Sequence, residues 1–86
     1  MSMKRSVATR LAKEVRQSTD GELEAKVEKL PSGYIIVVRP NRKVRMSDVF
    51  YSQEFYLIYN LCNNSELRPM ITRDYKGVFI LISSYE

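Results

Sequence analysis

The sequence predicts an α+β fold, an N-terminal amphipathic helix packed on an antiparallel four-stranded β-meander, in a single domain spanning residues 1–86. Three observations predict it. Apolar residues recur at helical spacing near the start, polar and apolar residues then alternate as along a half-buried strand, and β-branched runs separated by turn residues follow.

From Arg5 to Gln17, Val7, Ala8, Leu11, Ala12 and Val15 lie on one stripe of a helix, with Arg5, Arg10, Lys13 and Arg16 mainly off it. Thr19-Asp20-Gly21 ends that helix, because glycine accepts the left-handed conformation common just past a helix terminus. Leu23, Ala25 and Val27 then alternate with Glu22, Glu24, Lys26 and Glu28, the pattern of a strand with one wet face. Leu30-Pro31-Ser32-Gly33 supplies a tight turn, and Tyr34 to Arg39 reads as the second strand of a hairpin. Pro40 to Asp48 reads as a long basic connection. The aromatic stretch from Val49 to Leu61 is expected to be a third strand, with Phe55, Leu57, Tyr59 and Leu61 sharing one face. Cys62 to Glu66 reads as a loop, Met70 to Thr72 as a short extended piece, Asp74 to Gly77 as a turn and Val78 to Ser83 as the last strand. No repeat and no linker composition divides the chain.

A chain of 86 residues supports one core of marginal stability. An apolar content of 44% with 28% charged residues is globular rather than disordered. Cys62 has no second cysteine to pair with, which predicts a reducing compartment, cytoplasmic or, in a eukaryote, nuclear. Neither a signal peptide nor a membrane span is expected, since the apolar runs are too short. Charge is uneven: residues 1–45 hold eleven Lys and Arg against five Asp and Glu, and the remainder holds three against five. An acidic partner would therefore dock on the first half.

Enzymatic chemistry is not expected. Histidine, the commonest general base, is absent, and the three glycines stand too far apart to cradle a phosphate. Glu22, Glu24 and Glu28 read as the wet face of a strand, and Cys62 beside Asn63 and Asn64 reads as a structural thiol. No catalytic residue, no metal site and no cofactor is predicted. Arg39, Arg42, Lys43 and Arg45 form the densest basic cluster, and with Arg10 and Lys13 of the helix they are the candidate residues for binding a partner or nucleic acid. The same cluster also reads as a merely solvated surface. Tyr51, Phe55, Tyr56 and Tyr59 would offer rings for base stacking if their strand face were open, and otherwise belong to the core.

Several short stretches resemble the ubiquitin-conjugating enzyme fold, which inactive conjugating-enzyme variants and RWD domains share. Arg10-Leu11-Ala12-Lys13-Glu14 is similar to the family's first-helix pattern, and Val37-Val38-Arg39-Pro40 to the end of its second strand. Phe50-Tyr51-Ser52-Gln53-Glu54-Phe55-Tyr56-Leu57 resembles the start of its third strand, and Pro69-Met70-Ile71-Thr72 the fourth. The departures bear on chemistry: the His-Pro-Asn tripeptide is missing, and Ile80 falls where the nucleophilic cysteine would stand. The resemblance thus implies a truncated, non-catalytic domain, and the family's C-terminal helices would be lacking, which leaves one sheet face uncovered. The leading expectation is a non-catalytic protein-interaction domain that meets another protein, or a second copy of itself, across that face. The alternative is a small basic nucleic-acid-binding or regulatory module of the kind a virus or mobile element encodes. No membrane partner is expected.

Overall fold

The structure is a computed structural model and describes residues 3–84. Helix α1 spans Arg5–Ser18 and buries Ala8, Leu11, Ala12 and Val15, the stripe its spacing predicts. Thr19 closes it. The Thr19 hydroxyl donates to the Val15 carbonyl at 2.8 Å and accepts from the Leu23 amide at 3.3 Å, so this buried polar group is satisfied while it ties the helix to the first strand.

Strands β1, Leu23–Leu30, and β2, Gly33–Pro40, form the expected hairpin, in register from Leu23 opposite Pro40 to Leu30 opposite Gly33. Strands β3, Leu67–Asp74, and β4, Gly77–Ser84, form a second hairpin. Gly33 and Gly77 follow the two loops at φ of 152° and 124°, a backbone region that L side chains rarely adopt. The Asp74 carboxylate braces the second turn by accepting from the Lys76 amide at 2.9 Å.

The fold class is as predicted: α+β, with an N-terminal helix on a four-stranded antiparallel sheet in a meander-like arrangement. In space the strands run β1-β2-β4-β3, so the centre of the sheet is the β2–β4 pair. The stretch between β2 and β4 is corrected: Met46–Asp48, expected in the connection, and Cys62–Asn64, expected in a loop, are both helical. The stretch from Val49 to Leu61, expected as a strand, is helical: α2 covers Met46–Phe50 and α3 covers Gln53–Asn64. The aromatic residues that suggested a strand carry only a propensity, which packing overrides. What decides is that Phe55, Ile58 and Cys62 fall on one helical stripe, with Ile58 and Cys62 fully buried, while Leu57 and Tyr59, which a strand would have put on the face of Phe55, are exposed. Ser52 starts α3 by accepting from the Phe55 amide at 3.0 Å. The fourth strand of the sheet comes instead from Leu67–Asp74, of which only Met70 to Thr72 was expected to be extended. Phe50 to Leu57, similar in sequence to the start of a conjugating enzyme's third strand, accordingly lies in α2 and α3.

Although no sequence repeat is visible, the chain folds as two helix-hairpin units. A single offset carries β1 onto β3 and β2 onto β4, matching Leu23 with Leu67, Gly33 with Gly77 and Ile36 with Ile80. The central pairing obeys the same relation: Ile36 faces Ile82, Val38 faces Ile80, and Val37 faces Leu81 on the pseudo-two-fold axis. Helices α1 and α3 pack on one face, where Ile36, Val38, Ile80 and Ile82 make the centre of the core. No helix among the described residues is long and apolar enough to cross a membrane.

Candidate functional site

Antiparallel pairing of β2 with β4 sets the end of β2 beside the start of β4. The basic connection that leaves β2 at Asn41 therefore faces the β3–β4 turn. Between them lies a groove of about 940 Å³, bounded by residues 39–47 on one side and 73–78 on the other. It is lined by six cations, Arg39, Arg42, Lys43, Arg45, Arg73 and Lys76, against a single carboxylate, Asp74. An adjoining hollow is bounded by Arg42, Lys43 and Ser47 together with Asp48 and Tyr51.

The six cations are not equivalent. Arg39 is already engaged: it donates two hydrogen bonds to Asp74, at 2.6 and 3.2 Å, and its guanidinium lies 4.6 Å from the centre of the Phe79 ring. Hydrogen bonding from Arg39 holds the Asp74 carboxyl below the usual carboxylate range, and the same pair raises the Arg39 pKa. The one acid in the groove is thus neutralised by its neighbour, and the remaining cations present an excess of positive potential. Arg42, Lys43 and Arg45 are exposed on the connection, Arg73 and Lys76 on the second hairpin. Arg45 has a loose ion pair with Asp48 at 3.9 Å, and both side chains are largely in solvent.

Two aromatic rings border these cations. Tyr75 at the turn is 91% exposed, and Tyr51 is 82% exposed, edge-on to Phe50 at 5.0 Å between ring centres. Of the four rings singled out in the sequence, Tyr51 alone lines this region. Phe55 is half-buried, and Tyr56 and Tyr59 are exposed on α3. Arg10 and Lys13 are exposed on α1 and do not line the groove. The sequence reading missed Arg73, Tyr75 and Lys76. Their signal was a basic, aromatic turn before Gly77; what was lacking was the strand pairing that sets this turn beside residues 41–45.

Cys62 sits fully buried on α3, and burial pushes its thiol up to about 12, so at neutral pH it is a protonated core group rather than a nucleophile. Ile80, at the position the resemblance equates with a nucleophile, is a core residue at the sheet centre. Among the described residues no group of three or more Cys, Asp and Glu could hold a metal ion. Comparison with protein-family models, curated proteins and solved structures found no match for this chain.

Proposed function

We propose that the chain is a non-catalytic binding module whose basic groove holds single-stranded nucleic acid. The observation that carries this reading is the meeting, across the β2–β4 pairing, of Arg42, Lys43 and Arg45 with Arg73 and Lys76, with the exposed ring of Tyr75 lining the same groove and that of Tyr51 the adjoining hollow. Cations at that density neutralise backbone phosphates, and open rings stack on unpaired bases, which duplex DNA does not offer. Arg39 serves the site indirectly, by occupying Asp74. A reducing cytoplasmic or nuclear setting suits the free buried thiol.

Fluorescence anisotropy with labelled single-stranded DNA, single-stranded RNA and duplex DNA tests the reading. If about five phosphates are neutralised, single-strand affinity falls on the order of 100-fold between about 50 and about 200 mM salt. Replacing Arg42, Lys43 and Arg45 together by Ala should flatten that salt dependence, and Tyr75→Ala should weaken binding by about 1–3 kcal/mol with the slope unchanged. No binding at low salt, or binding indifferent to these substitutions, rejects it. A second reading, a protein-interaction domain, is supported by the uncovered sheet face. It would gain over the first if ubiquitin-like proteins bound to that face in an NMR titration while oligonucleotides did not bind at all.

A further inference from the structure

Strand register divides the sheet's side chains between two faces, and the buried cluster draws on only one of them. The other face carries Ile35, Val37, Phe79, Leu81 and Met70 across its middle: no helix among the described residues covers them, Met70 is exposed, Ile35, Phe79 and Leu81 are half-buried among their neighbours, and Val37 at the centre is 8% exposed. Charged side chains bound this apolar band along both outer strands, Glu24, Lys26 and Glu28 on β1 and Arg68 on β3, and at one end of the band Arg39 of β2 lies over the Phe79 ring with its charge met by Asp74. Register also fixes the rows. Lys26, Val37, Leu81 and Met70 lie in one row, and Glu28, Ile35, Ser83 and Arg68 in the next, with Glu28 and Arg68 at its opposite ends.

We infer that this face binds a second copy of the chain, sheet against sheet, about a two-fold axis parallel to the strands. Charge selects both the occupant and the axis. Rotation about an axis along the strands lays β1 of one copy over β3 of the other, so each Glu28 meets an Arg68 of its partner and Val37 lies over Leu81. Rotation about an in-plane axis across the strands would instead set Lys26 on Lys26 and Glu24 on Glu28, like charges whose juxtaposition is unfavourable. The pseudo-symmetry of the sheet assists, because the apolar pair Val37 and Leu81 already lies on its centre line. In such a dimer the sheets sit about 10 Å apart with the helices outermost, and both basic grooves emerge at the same end.

The face is small. Four strands at about 4.8 Å spacing and eight residues at about 3.4 Å each offer roughly 520 Å² of projected area per copy, below the ~800 Å² of a standard interface. The dimer therefore belongs to the weak class, with dissociation in the micromolar range.

Sedimentation velocity on the full chain, from about 5 to about 500 µM, should show a concentration-dependent shift from monomer to dimer. Glu28 and Arg68 are exposed and stand three strand spacings apart, about 14 Å, so they do not pair within one chain. Glu28→Arg and Arg68→Glu should each weaken association by about tenfold or more, and the two together should restore it to within about threefold of the original. Circular dichroism should show all three variants folded. A monomer throughout the range, association indifferent to the single substitutions, or a double variant no better than the singles overturns the inference.

Discussion

At the scale of single residues, three side chains test the packing most directly. Thr19 is buried with both hydrogen-bonding roles filled, and Thr19→Val keeps its shape while leaving the Leu23 amide without its acceptor. The expected cost is about 1–3 kcal/mol in urea unfolding. Cys62 should resist thiol reagents in the native protein and react at the rate of a free thiol once unfolded. Its folded pKa is raised, so its contribution to stability is present below the ordinary thiol range and is lost as pH climbs toward about 12. Asp74 has the opposite sign. Its folded pKa is depressed by Arg39, so its contribution is present above the ordinary carboxylate range and is lost as pH falls through the folded value. Asp74→Asn should reduce the acid sensitivity of unfolding, read as a shallower loss of denaturation midpoint below about pH 5. The structural role of the Cys62 thiol was legible in the sequence, whereas its depth in the core and the roles of Thr19 and Asp74 were not. A threonine in a turn, a cysteine among asparagines and an aspartate before a glycine have ordinary local readings, and distant partners give them their particular ones.

At the scale of elements, the helix α3 is the informative case. Its N-cap is in plain view as Ser52, with Glu54 in the first turn, where a carboxylate favours the helix dipole. Ser52→Ala should cost about 0.5–2 kcal/mol, measured by denaturant unfolding. Because α3 supplies Ile58 and Cys62 to the core over β3, its fraying should also expose Leu67, which hydrogen exchange would detect as correlated loss of protection in α3 and β3. The outer strands are protected in different ways. Arg16 of α1 donates to the Ala25 carbonyl at 2.8 Å on β1, and β3 carries Pro69, which has no amide hydrogen to offer an intruding strand. Both devices discourage edge-to-edge growth, in keeping with association through the face of the sheet.

At the scale of the whole molecule, the pseudo-two-fold places two equivalent isoleucines, Ile36 and Ile80, at the centre of one core. Ile36→Ala and Ile80→Ala should each destabilise by about 2–5 kcal/mol, and similar losses at the two sites would show that both units fold as one cooperative body. Opposite losses, with one unit melting alone in hydrogen exchange, would show that they do not. The charge asymmetry of the sequence also changes meaning at this scale. The second half is acidic in sum, yet it contributes Arg73 and Lys76 to the basic groove, because what counts is which residues the sheet gathers at one end.

Local pattern was enough to specify α1, the β1–β2 hairpin and the final strand, and with them the fold class. Those elements are written in short-range periodicity and turn chemistry, which act over a few residues. The basic cluster of Arg39, Arg42, Lys43 and Arg45 was also in view in the sequence. Tertiary structure alone decided that residues 53–64 are a helix, because the competing strand pattern was locally as good and only the seat over β3 separates them. It alone decided that residues 41–45 face residues 73–78, since the β2–β4 pairing joins segments far apart in the chain. Which face of the sheet stays bare was likewise settled by where α1 and α3 both came to rest.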